Sequence, residues 1–401
     1  MFSNEGASSE AGAIQYLVQV RLDGDASHLT AHAGRALGAL LTGERVEGLR
    51  IVGQLLAAAD THLVLVAEGY MFATHPTVYT ETDVEALYRI FRSENRIVLR
   101  CASHITLEVS RRDKALAIDL LSSANIDLAM RSGRDFFMWL AHEETIPFAL
   151  IRDDQLRRLI DGLRSTPRLD DHWVNAFLKK AMQRAPGTVL ELAKARIDAS
   201  IASDDWSIQP LGSVFRDSDA LDLLALPDGV TQLRDLLEWA LGRIGDYKFS
   251  YRFAEMLQSL CSPYDATCVA TIEDWLIAGG TADHFKVVTA IVRDAGAGFV
   301  FDNERFIARS LGAARAVGRK VFKDLSSAIF ATSVGGLRSG SPGQPFEADL
   351  RLKDLAEKRL ARITRADPTY DLYADIKGHA TQDIERQLAD GRRMDEEDAD
   401  A

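Results

Sequence analysis

Apolar residues recur at three- and four-residue intervals along most of this chain. From Ala11 onward the text reads as amphipathic segments of about 12–16 residues, the spacing of helices with one buried face. One segment opens at Thr82, which with Glu85 has the Thr-x-x-Glu spacing of a capping box. Val84, Leu87, Tyr88 and Phe91 then fall on one face. A second carries Leu233, Leu236, Leu237, Ala240, Leu241 and Ile244 and is expected to stop at Gly245. A third brackets Ala185-Pro186-Gly187, with Val174, Phe177, Leu178 and Met182 before the break and Val189, Leu190, Leu192 and Ala193 after it. This reads as an αα-hairpin. Strand-like composition is confined to 62–66 and 298–301, which we read as helix and as a loop or helix start.

The five tryptophans sharpen this picture. Trp139, Trp173, Trp206, Trp239 and Trp275 are 34, 33, 33 and 36 residues apart. A period in the thirties is the length of one helix–turn–helix unit in a stacked array. Three contexts rhyme, with an acidic residue just before Trp173, Trp206 and Trp275, as at a helix N-terminus. Trp139 and Trp239 lie inside apolar stripes, so the five do not share one register.

At 401 residues the chain exceeds one compact core. Its net charge of −12 weighs against a protein that coats nucleic acid over its whole surface. Three cysteines, Cys101, Cys261 and Cys268, are too few for a disulfide framework. The N-terminus has no secretory pattern, and the longest apolar stretch, 51–73, is interrupted by Gln54, Asp60, His62 and Glu68. A cytoplasmic protein without a membrane span is expected.

Signatures of chemistry are sparse. No phosphate-binding G-x-x-x-x-G-K-[ST] motif and no G-x-S-x-G elbow is present, and Gly296-Ala297-Gly298 lacks the third glycine of a dinucleotide fingerprint. His28 and His32 are four apart but have no third ligand nearby. The acidic doublets 143–144, 153–154, 170–171 and 204–205 are read as caps and solvated charge. No catalytic residue, metal or cofactor is therefore expected. Charge is more informative: between Arg305 and Arg365 lie thirteen Lys and Arg against five Asp and Glu. Arg305, Arg309, Arg315, Arg319, Lys320, Arg338, Arg359 and Arg362 are the candidate contacts for nucleic acid or an acidic partner. Within this segment, Gly335-Gly336-Leu337-Arg338-Ser339-Gly340-Ser341-Pro342-Gly343-Gln344-Pro345 must be a loop.

The helix-pair texture, the Pro-Gly break and the tryptophan period resemble α-helical repeat proteins of the HEAT/armadillo type, over about residues 20–380. No repeat consensus is matched residue by residue, so no site residues carry over. The resemblance implies an all-α fold of stacked antiparallel helix pairs, an α-solenoid, with little or no β-structure. It also implies a non-enzymatic scaffold or adaptor that binds a protein partner. The Ala-, Arg- and Asp-rich text hints at a bacterial genome, where such arrays serve in multi-protein systems, defence systems among them. Nucleic-acid binding through 305–365 is the alternative. The expected layout is a flexible 1–10, an N-terminal helical region 11–125, a repeat array 126–334, a loop 335–349, C-terminal helices 350–390 and a disordered acidic tail 391–401.

Overall fold

The computed structural model describes residues 34–399, apart from 39–40, 42–43, 59–60, 75, 132–135, 213–219, 337–340 and 342. The described chain is all-helical, and no strand occurs among the described residues. Two compact units are present, Met1–Arg196 and Ile197–Ala401. The division falls at 196/197. Residues 1–33, with His28 and His32, and Arg338 in the Gly/Ser/Pro loop lie outside the described residues.

The first unit contains α1 (Arg45–Ala57), α2 (Thr61–Ala73), α3 (Glu81–Phe91), α4 (Arg96–Arg112), α5 (Lys114–Ser123), α6 (Ile126–Arg131), α7 (Met138–Ala141), α8 (Asp153–Asp161) and α9 (His172–Arg184). Then comes α10 (Pro186–Ser203), within which the division falls. Its packing follows two rows, α1 on α3 on α5 on α8 and α2 on α4 on α6, tied by α1–α2, α3–α4 and α4–α5 contacts. The strand-like text at 62–66 lies inside α2. Leu87, Ile90 and Phe91 of α3 are buried, as are Ile105 and Val109 of α4 and Ile118, Leu120 and Leu121 of α5. Burying one such side chain is worth about 1.5–3 kcal/mol.

The cap of α3 differs from the expected one. Thr80, not Thr82, is the N-cap: the Asp83 amide donates to its hydroxyl, and its own amide donates to Asp83 Oδ2 at 2.9 Å. Both Thr-x-x-acid spacings exist in the text. Asp83 is favoured because Arg45 of α1 donates to its other carboxylate oxygen at 2.5 Å, giving this buried acid a cation. The expected αα-hairpin also changes form. Ala185 alone joins α9 to α10, a shorter link than the about 2–5 residues of an antiparallel helix pair. The chief neighbour of α9 is α7. Pro186 occupies the first position of α10, where its missing N–H costs no hydrogen bond.

The second unit contains α11 (Gly229–Leu241), α12 (Tyr247–Cys261), α13 (Ala266–Gly279), α14 (Ala282–Asp294), α15 (Phe299–Asp302), α16 (Glu304–Val317), α17 (Arg319–Val334), α18 (Glu347–Leu360) and α19 (Tyr370–Ala399). Here too two rows form: α11 on α13 on α16, and α12 on α14 on α17 on α19. Contacts α13–α14, α16–α17 and α18–α19 tie them together. In α11 the stripe Leu233, Leu236, Leu237 and Ala240 is buried as expected, but the helix ends at Leu241 with Gly242 as its cap, one turn before Gly245. The backbone of α19 continues as helix to Ala399, through most of the segment expected to be a disordered tail. Aspartates start several helices: Asp113, Asp171, Asp246 and Asp265 each accept backbone amides in the first turn.

Polar links between helices recur about one tryptophan period apart. Trp139 Nε1 donates to the Ser103 carbonyl 36 residues away at 2.6 Å. Trp275 Nε1 donates to Glu238 37 residues away at 2.7 Å. In the second unit two such links, Glu238 of α11 accepting from Trp275 of α13 and Glu273 of α13 pairing with Arg309 of α16, are followed by a longer one from Glu304 of α16 to Arg359 of α18, and the three form a ladder. The tryptophans fall into two registers. Trp139 and Trp173 are each the second residue of a helix, in the packed pair α7 and α9. Trp239 and Trp275 lie in the later turns of the packed pair α11 and α13. Trp206 belongs to neither and lies in the turn after α10. The acidic-aromatic rhyme therefore marks a helix start only at Asp171–Trp173.

Candidate functional site

The basic segment does not form one surface. The seven candidates among the described residues separate according to the element that carries each. Arg319 and Lys320 are exposed at the start of α17, where the helix dipole is positive and no acid in the first turn offsets it. Arg315 lays its guanidinium 4.7 Å above the Phe322 ring. Arg309 is tied to Glu273 in the ladder. Arg305 is exposed beside it.

Arg359 and Arg362 converge with residues outside the candidate set. Arg351, Leu355, Lys358 and Arg362 are spaced by four, three and four, which puts them on one face of α18 and the turn that follows it. This face borders a cavity of about 570 Å³, lined also by Phe301, Asp302 and Glu304 and by the Gly335-Gly336 start of the interrupted loop. A second cavity of about 550 Å³ is lined by Arg305, Arg309, Glu273 and Asp274. The two share Phe301, Asp302 and Glu304. Arg315, Arg319 and Lys320 line neither.

The first cavity has a rigid floor. Glu304, the first residue of α16, holds Arg359 at 2.5 Å, and the Arg359 side chain is 18 % exposed. Its guanidinium lies 5.8 Å from the centre of the buried Tyr373 ring. Burial pushes the Tyr373 hydroxyl up to about 12. Arg359 Nε is buried without a hydrogen-bond partner among the described residues. Lys358 is shared with Asp354 at 2.6 Å. Arg351 and Arg362 are exposed and have no ion-pair partner among the described residues. The lining thus brings four cations, two carboxylates and the apolar surfaces of Phe301, Leu352 and Leu355 to one concavity.

A different surface occurs where α10 ends. Trp206 is 45 % exposed, Tyr247 70 % and Tyr251 47 %. The Trp206 and Tyr251 rings meet edge-on at 5.6 Å. Arg252 lies over Trp206 at 5.3 Å, and its guanidinium also donates to the Trp206 carbonyl and to Glu255. Lys248 approaches the same ring at 5.9 Å and pairs with Asp204, a non-glycine residue at φ +55°. Large aromatic side chains are thereby fixed in the open. The tryptophan spacing singled out Trp206; nothing in the sequence pointed to Tyr247 or Tyr251 beyond their i, i+4 relation.

Among the described residues no cluster of three or more His, Cys, Asp or Glu could hold a metal ion. Cys261 and Cys268 are buried, with Cys268 packed at the start of α13. Among the same residues no helix is long and apolar enough to cross a membrane. Comparison with protein-family models, curated proteins and solved structures finds no match to this chain.

Proposed function

We propose that this protein is a non-enzymatic α-helical repeat scaffold of the HEAT/armadillo kind, which binds a protein partner through an exposed face. The packing of each helix on its near neighbours in two rows, with polar links about one period apart, supports the architecture. The observation that carries the binding role is the exposed Trp206–Tyr251 ring pair, with exposed Tyr247 one turn before Tyr251. Trp and Tyr dominate interface energetics because they bury much area at little entropy cost. Arg252 pins the tryptophan before any partner arrives, so less ordering remains to be done on binding.

The test is capture from native cells with the intact chain and with a Trp206→Ala, Tyr247→Ala, Tyr251→Ala variant of equal helicity. A protein retained by the first and lost from the second supports the reading. Identical co-eluting proteins from both refute it.

Nucleic-acid binding through 305–365 is the second reading, favoured by exposed Arg305, Arg351 and Arg362. Salt separates the two, since phosphate contacts weaken steeply as salt rises and an aromatic interface responds little.

A further inference from the structure

Most of the cations in the basic segment have structural occupations or lie apart from one another. The exception is the α18 face, where positive charge, apolar surface and a concavity coincide. Its cavity of about 570 Å³ falls within the roughly 300–1,000 Å³ of small-molecule sites. Arg351 and Lys358 are two turns apart, about 10 Å along the helix, and Lys358 and Arg362 one turn. One isolated phosphate cannot satisfy all three without drawing their side chains together. A chain of phosphates laid along the helix meets them in sequence.

The opposing charges are Asp302 and Glu304 in the lining and Asp354 beside Lys358. Glu304 is already neutralised by Arg359. Phe301, whose ring lies 5.8 Å from that of Tyr373, gives a flat apolar wall in the same cavity. Phosphate chain and flat apolar body together describe one ligand class.

We propose that this cavity is a binding site for a free nucleotide bearing more than one phosphate. Its phosphates lie along Arg351, Lys358 and Arg362, and its base lies against Phe301. The site uses side-chain cations in place of a glycine-rich phosphate loop, which is why no nucleotide motif is visible in the sequence. It is independent of the aromatic cluster and of the scaffold reading.

The test uses the full-length chain and isothermal titration at low salt with four probes: ATP, inorganic tripolyphosphate, adenosine and a short single-stranded oligonucleotide. ATP is expected to bind one-to-one, at least about tenfold tighter than tripolyphosphate or adenosine. An Arg351→Ala, Arg362→Ala variant, whose changes are confined to exposed side chains, should weaken ATP by about tenfold or more with an unchanged thermal midpoint. Phe301→Leu should weaken ATP but not tripolyphosphate. No ATP binding at about 1 mM overturns the proposal. So does binding untouched by the double substitution, tripolyphosphate binding as tight as ATP, or an oligonucleotide that binds where ATP does not. Loss of protein partners in the aromatic variant with ATP binding intact would leave this site standing, and the converse would leave the scaffold reading standing.

Discussion

Arg196 offers the sharpest test of how the first unit is held together. The residue is 0 % exposed. Its guanidinium donates to the carbonyls of Leu163 at 2.5 Å, Thr166 at 2.6 Å, Pro167 at 3.0 Å and Arg164 at 3.3 Å. These carbonyls belong to the turn that follows α8. Arg196→Met keeps an apolar stem of similar reach and removes every donor. The bonds to Leu163 and Thr166 are fully buried, so water cannot take the place of the guanidinium there. At about 1.5–3 kcal/mol for each bond to a charged group, the loss is about 3–6 kcal/mol. Relief of the buried charge's desolvation returns part of it. A net loss of about 3 kcal/mol is expected, more than a hundredfold in the ratio of folded to unfolded molecules. With a urea slope of about 2 kcal/mol/M, the midpoint of the first unit falls by about 1.5 M. Fluorescence of Trp139 and Trp173 in a variant lacking the other three tryptophans follows that transition. A midpoint moved by less than about 0.3 M would mean that the carbonyl cluster does not depend on Arg196.

Two further outcomes are expected. Burial pushes Tyr79 and Tyr373 up to about 12, so both stay protonated in the folded chain after the unfolded chain has begun to ionise near 10. Their contribution to stability is therefore complete below pH 10 and is lost as pH rises towards 12; absorbance at about 295 nm should show a late-ionising fraction of the nine tyrosines, and a single step near 10 in the native protein would contradict this. Gly229→Ala places its Cβ 2.2 Å from the Leu223 carbonyl oxygen and 2.9 Å from Leu224 Cα, so backbone must move and about 1–3 kcal/mol is lost despite the better helix former. Gly242→Ala meets nothing within 4 Å and should be neutral or slightly stabilising; equal thermal midpoints for the two variants would rule out the steric account.

The helices were legible in the sequence because each buries a stripe, and stripes leave a period in the text. Leu233, Leu236, Leu237 and Ala240, or Phe177, Leu178 and Met182, are buried where their spacing placed them. Helix ends were less legible. Thr80-Asp83 and Thr82-Glu85 have the same spacing, and what separates them is Arg45, 38 residues earlier in the chain. The length of the turn at Ala185 was overestimated because Pro186 was read as a breaker, whereas at the first helical position it is compatible with helix. At the cavity, the α18 cations could be found from their four-three-four spacing. Phe301, Glu304 and Tyr373 could not, since they arrive from three other helices and carry no pattern of their own. The evenly spaced tryptophans do not occupy one position: two begin helices, two lie in later turns and Trp206 lies in a turn, which the spacing alone cannot distinguish.

The ladder of Glu238, Glu273 and Glu304 has an evolutionary corollary. Glu238 and Glu273 each meet a donor from the next helix in their row, and Glu304 meets one from α18. A duplicated or deleted helix pair that brings its own acid and donor would leave the other rungs as they were. A substitution at one rung is therefore answerable only by a change at its immediate mate.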